Sequence, residues 1–128
     1  LQHLRAAVAT WRTVAGGERD LGEALVSLAF AAIKHGDLDE ADQALQEAAT
    51  LATNLADDEL ATAVAVRRAD LLRARGDRAG ARAVLEPLVA RLQHERAPTD
   101  RPTLLAANLL AGVLHESGEL EAAEALYR

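Results

Sequence analysis

The sequence predicts an all-α chain of stacked helix pairs, and three features carry that expectation. Half of the 128 residues are hydrophobic while only 2% are aromatic. Alanine and leucine therefore supply most of the apolar surface, and both favour helices and fit narrow helix–helix seams. Glycines and acidic capping residues divide the chain into segments of helical length, and no alternating β-branched run marks a strand. Three stretches also align: His35-Gly36-Asp37-Leu38-Asp39-Glu40-Ala41, Arg75-Gly76-Asp77-Arg78-Ala79-Gly80-Ala81 and Ser117-Gly118-Glu119-Leu120-Glu121-Ala122-Ala123. Their glycines lie 40 and 42 residues apart, a solenoid period in which each unit buries its apolar face only against its neighbours.

Seven helical segments follow from the punctuation. The first, Gln2 to Val14, carries Leu1, Leu4, Val8 and Trp11 at three- and four-residue spacing, a single apolar stripe closed by Gly16-Gly17. Asp20, three residues before Glu23, predicts a capping box that starts the second helix. That helix reaches His35 and turns Leu21, Leu25, Leu28, Ala29 and Ala32 inward. Gly36 is placed to adopt the left-handed conformation that ends a helix. Asp37 and Glu40 predict a second capping box, and the third helix buries Leu38, Ala41, Leu45, Ala48 and Leu51. Asn54 and Asp57 mark the next start, with Leu60 to Arg75 as the helix body. Gly76-Asp77 repeats the turn and opens a helix to about Gln93. Pro87 inside it predicts either a kink or a break near Leu85. The loop Ala97-Pro98-Thr99-Asp100-Arg101-Pro102 leads into the helix Leu104 to Glu116, with Pro102 suited to its first turn. Gly118 is the third turn, and Leu120 to Arg128 forms a last helix that stops early.

Composition excludes several functions. A chain of 128 residues is one domain, able to bury about two-thirds of its unfolded surface. With no cysteine, disulfides and thiolate metal sites are ruled out, and a reducing, cytoplasmic setting is expected. No apolar stretch approaches the roughly 20 residues of a membrane span, so no membrane partner is expected. A net charge of −6 argues against nucleic acid as a partner. The chain opens on Leu1 and has no methionine, which predicts a piece of a longer protein.

Set side by side, the units resemble tetratricopeptide repeats. The first unit carries Leu25, Leu28, Ala29, Ala32, Gly36, Ala41, Leu45 and Ala48 where that family places small and bulky apolar residues around a turn. The third carries Ala107, Leu110, Ala111, Leu114, Gly118, Ala123 and Tyr127. The second has Ala65, Ala69, Leu72, Gly76, Ala81, Leu85 and Leu88, but Arg68 stands where a leucine is expected. The family repeat is about 34 residues long, so this spacing matches the longer form seen in kinesin light chains and bacterial regulator sensor regions. The resemblance implies a right-handed superhelical stack of antiparallel helix pairs. Residues 1–19 are then the helix of a preceding partial repeat, 20–56 repeat 1, 57–97 repeat 2 and 98–128 an incomplete repeat 3.

The same resemblance implies a concave face that meets a partner. Its residues are Glu23, Val26, Phe30, Ile33 and Lys34, then Ala63, Val66, Asp70, Arg73 and Ala74, then Leu105, Asn108, Gly112, His115 and Glu116. Val26, Phe30, Ile33 and Val66 would form an apolar floor, with Asp70, Arg73, Asn108 and His115 as polar handles. Such a floor suits a peptide laid in a groove. The alternative is that Phe30 and Ile33 pack against a neighbouring helix or a second copy.

Other signals point away from chemistry. Arg67, Arg68, Arg73, Arg75, Arg78 and Arg82 lie among Asp70 and Asp77, as expected of intrahelical pairing on a solvated face. His3, His35, His94 and His115 match no zinc-protease spacing. His35, Asp37 and Asp39 match no full set of oxygen ligands, so no metal is expected. Ser27 and Ser117 are the only serines, and no nucleophile elbow or phosphate loop occurs. The expected function is thus a non-catalytic protein- or peptide-binding scaffold without cofactor, the sensor or interaction region of a larger bacterial regulatory protein. The alternative is a self-association segment, with Leu120, Ala123 and Tyr127 covered by a second copy.

Overall fold

A computed structural model describes residues 1–14, 16–95 and 100–116. Over these residues the chain is all-α and contains no strand: α1 (Gln2–Arg12), α2 (Glu18–His35), α3 (Leu38–Leu55), α4 (Asp58–Ala74), α5 (Arg78–Glu95) and α6 (Arg101–Glu116). The expected turn at Gly118, the helix from Leu120 to Arg128 and the stretch Ala97-Pro98-Thr99 lie outside the described residues. Contacts fall into two units, 1–67 and 68–128, with the boundary inside α4.

The repeat is finer than the glycines suggest. Helices α2 to α5 begin at residues 18, 38, 58 and 78, a step of 20. At the same step a residue takes positive φ: Gly16 (81°), Gly36 (83°), Ala56 (50°) and Gly76 (82°). The last three close their helices in one way. The N–H groups of Asp37, Asp57 and Asp77 donate to the carbonyls of Ala32, Ala52 and Leu72 at 2.9, 3.0 and 2.8 Å. Gly36, Ala56 and Gly76 donate to Ile33, Thr53 and Arg73 at 3.1, 3.2 and 3.0 Å. These paired bonds satisfy carbonyls that a helix end leaves orphaned. The copy at Ala56-Asp57 is hidden in the sequence because alanine fills the glycine position.

An alanine there is strained, since its Cβ disfavours positive φ. Ala56→Gly is expected to stabilise the fold by about 0.5–1 kcal/mol, and Gly36→Ala to destabilise it by about 1 kcal/mol. Urea midpoints moving in opposite directions at these two positions are the check; a loss of stability in Ala56→Gly would contradict the strain.

Several helix starts differ from the sequence expectation. α2 begins at Glu18 behind Gly17, with no side-chain cap, so the Asp20–Glu23 capping box is not formed. Glu18 and Asp20 instead place negative charge in the first turn, where the helix dipole favours it. Asp37 precedes α3 but makes no side-chain cap either, and Glu40 accepts hydrogen bonds from Arg5 rather than closing a box. The caps that do form are at Asp57, whose Oδ1 accepts from the Leu60 N–H at 3.1 Å, and at Asp77, whose Oδ1 accepts from the Gly80 N–H at 2.8 Å. α1 ends at Arg12, short of Val14. Pro87 lies within one continuous helix, α5. It is exposed, so water can serve the carbonyl that its missing N–H leaves open.

The core follows the 20-residue step. Leu25, Leu45 and Leu85 hold the same place in successive units and are 1%, 0% and 0% exposed; Ala65, in α4, is half-buried there. The residues of α2 expected inward (Leu21, Leu25, Leu28, Ala29 and Ala32) are all buried, as are Ala41, Leu45 and Ala48 of α3. Leu38 and Leu51 are half-buried, and of the α1 stripe only Val8 is fully covered.

In unit 1, α1 packs on α2 and α2 on α3, and alternate helices also meet. Arg5 and Arg12 of α1 reach Glu40 and Glu47 of α3, each at 2.6 Å. Gly22 of α2 faces Leu60 of α4 so closely that a Cβ at 22 would stand 2.5 Å from Leu60 Cδ2. Arg19 Nε lies 2.9 Å from Asp57 at the start of α4. In unit 2, α5 packs on α6, and the guanidinium of Arg73 on α4 lies beside Gly112 of α6. Exposed pairs of this kind add little stability; in each the arginine stands on the earlier helix and the carboxylate on the later segment.

Candidate partner-binding surfaces

α2 carries Val26, Phe30, Ile33 and Lys34 along one face, four residues spaced at helical intervals. Val26, Phe30 and Ile33 are half-buried and Lys34 is exposed. The sequence expectation treats Phe30 as apolar groove floor or as packed against a neighbouring helix or a second copy; the ring is half-buried, with two cations against it. Lys34 Nζ stands 4.3 Å from its centroid and Arg67 Cζ, from α4, stands 4.1 Å from it. Each cation is drawn to the negative ring face by about 0.5–1 kcal/mol at an exposed site. Arg67 lies one residue beyond Val66, the position that the resemblance assigns to this face, although the 40-residue period already sets α2 beside α4.

Val66 does not join this face. It is 6% exposed and belongs to the core of unit 1, because α4 turns it inward while Arg67 emerges. The apolar floor is therefore smaller than the sequence implies, and cations cover its centre.

In unit 2, Asp70 and Arg73 of α4 are half-buried, and Asn108 and His115 of α6 are exposed. Arg73 is committed to an ion pair: Nε donates to Glu116 Oε1 at 2.9 Å, and Nη2 reaches the same oxygen. Arg78 approaches Glu116 Oε2 at 3.9 Å. The small Gly112 leaves room for this crossing, since a Cβ would come 3.4 Å from Arg73 Nη2. The arginine cluster thus pairs partly between helices, while Asp77 is engaged as a cap; Arg82 pairs within α5, to Glu86.

The hydrogen bond from Arg73, aided by the charges of Arg73, Arg78 and His115, holds Glu116 below the usual carboxylate range against partial burial. The hydrogen bond and charge of Arg5 do the same for Glu40, with Asp37 also near Arg5 at 3.8 Å. A carboxylate whose folded pKa is depressed stabilises the fold above its unfolded pKa and loses that contribution as pH falls through the folded value. Glu116→Gln is therefore expected to lower stability slightly at pH 7 and to match the parent once pH is well below about 4. Urea midpoints across pH check this, and a constant difference down to strong acid would contradict it.

Among the described residues no cluster of His, Asp and Glu could hold a metal ion, and no helix is long and apolar enough to cross a membrane. An open depression beside α3 is lined by Arg5, Gly36, Asp37, Leu38, Asp39 and Glu40, and Arg5 already pairs with its acidic groups. No family model matches the chain, and no curated protein or solved structure is significantly similar to it.

Proposed function

We propose that this chain is a non-catalytic protein- or peptide-binding module, built as a tetratricopeptide-like stack of helix pairs. The observation that supports this reading most is the 20-residue helix–turn step together with contacts between alternate helices, α1 with α3 and α2 with α4 in unit 1, and α4 with α6 in unit 2. Helices that touch both the next and the next-but-one element leave one edge of each pair open to solvent, and such edges serve as docking faces. The half-buried Val26, Phe30 and Ile33 on α2 supply apolar anchors on such an edge.

Selection of peptides from a displayed random library tests the reading. An enriched sequence should bind the purified chain one-to-one with a micromolar Kd, and Val26→Asp should abolish binding without changing helical content. Failure of any sequence to enrich over a control helical protein would overturn it.

One observation favours self-association as a second reading. Leu104 and Leu105, adjacent on α6, are 47% and 41% exposed, and a second copy could cover them. The surface expected at Leu120, Ala123 and Tyr127 lies outside the described residues. Sedimentation velocity decides: a mass that rises with concentration and falls back in Leu105→Glu supports this reading, and a monomer at all concentrations removes it.

A further inference from the structure

We infer that α1 is a charge-latched strap, which opens from α2 and α3 ahead of the rest of unit 1 when its two arginine–carboxylate clasps to α3 are screened or removed. Neither α1 nor its partners on α3 belong to the proposed peptide-binding face.

The latch shows first as a separation of charge. α1 carries Arg5 and Arg12 and no acidic residue, while α3 carries Asp39, Glu40, Asp42 and Glu47 and no basic one. Arg5 and Arg12 stand two helical turns apart on one face of α1, and Glu40 and Glu47 stand two turns apart on α3. The two sets meet in register. Arg5 Nε and Nη2 donate to Glu40 Oε2 and Oε1 at 2.8 and 2.6 Å. Arg12 Nε and Nη2 donate to Glu47 Oε2 and Oε1 at 3.3 and 2.6 Å. Such two-pronged pairs are the strong form of the interaction. All four side chains remain partly exposed, so dissolved salt reaches them.

Little else holds α1. Of its 11 residues only Val8 is buried, whereas α2 buries six and α3 five. Trp11 leans on Gly17, where a Cβ would stand 3.0 Å from Trp11 Cε3, but Trp11 is itself only half-buried. No side chain caps the helix start, and no acidic residue lies in its first turn. A helix this short is marginal in water without tertiary support, so α1 unravels once it leaves α2. Exposed ion pairs weigh little against the stability of a whole domain. Against the small free energy of opening one poorly buried helix, they decide the balance. Opening uncovers the surface of α2 against which α1 packs.

Hydrogen exchange followed by mass spectrometry tests this on the intact chain. In about 0.01 M sodium chloride the amides of α1 should be protected, yet at least about tenfold less than those of α3. Raising the salt to about 1 M should lower the protection of α1 by a further factor of roughly three to ten and leave that of α3 within about twofold. Glu40→Gln and Glu47→Gln should each lower the protection of α1 at low salt by roughly three- to tenfold and blunt its response to salt. Arg82→Gln, which removes a pair within α5, should not change it. Arg12→Glu should strip most of the protection from α1, and adding Glu47→Arg should restore part of it. α3, read in the same spectra, reports whether each variant remains folded. If α1 and α3 exchange together, α1 opens only with the whole unit and the latch is overturned. Indifference of α1 to salt and to both glutamine variants would assign its docking to Val8 and Trp11 and overturn the latch equally, as would an unprotected α1 at low salt.

Discussion

Leu45→Ala is expected to destabilise the folded chain by about 3 kcal/mol and to lower its melting temperature by roughly 10 °C. Leu45 is wholly buried in α3, at the place in the 20-residue unit that Leu25 and Leu85 also fill. Removing its three outer carbons forfeits their transfer from water and leaves a cavity. Neighbours such as Ala41, Ala44 and Ala48 are too small to swing into the gap. By contrast, truncating Leu55, which is 41% exposed at the end of the same helix, should change stability by less than about 0.5 kcal/mol. Thermal and urea denaturation of the two variants give the comparison. Equal effects would mean that the core is not organised around this recurring leucine.

Gly22→Leu is the second large effect, expected at about 3 kcal/mol. Gly22 is buried in α2, and a Cβ there would stand 2.5 Å from Leu60 Cδ2 and 3.3 Å from Cδ1. Leu60 is itself only 4% exposed, so its tip has little room to retreat. Gly22→Ala should be far milder. An alanine gains about 1 kcal/mol of helix propensity, which offsets much of a clash with the end of one flexible side chain. Combining Gly22→Leu with Leu60→Ala should recover part of the loss, since the two share one volume. If the double variant is as unstable as the sum of the singles, α2 and α4 do not meet there.

The helices themselves were legible in the sequence because leucine and alanine recur at helical spacing, and each helical segment whose core lies in the described residues is present. What misled was local chemistry that tertiary contacts override. Asp37 and Glu40 have the right spacing for a capping box, but Arg5, from α1, engages both carboxylates. Asp20 sits three residues before Glu23, yet Gly17 starts the helix earlier with no side chain to betray it. Ala56 adopts the conformation that a glycine would announce, so the helix start marked by Asn54 and Asp57 does not show itself as a copy of the turns at Gly36 and Gly76, and the step of 20 is visible only as a pair spacing of 40. On the candidate site, the α2 residues rest on the resemblance to tetratricopeptide repeats and not on helical spacing. Val66 and Arg67 could not be assigned correctly, because adjacent residues of α4 differ in fate only by which one meets α2's ring and which one enters the core.

The architecture behind all of this is contact between alternate helices, and cross-linking tests it most directly, since the chain has no cysteine of its own. Cysteine pairs would replace Arg5 and Glu40, Arg12 and Glu47, and Arg73 and Glu116, each treated in dilute solution with a short bis-maleimide. All three pairs are expected to bridge within one chain, rapidly in buffer and slowly in urea. A pair that bridges no faster folded than unfolded would contradict the stacking of that helix on the next but one.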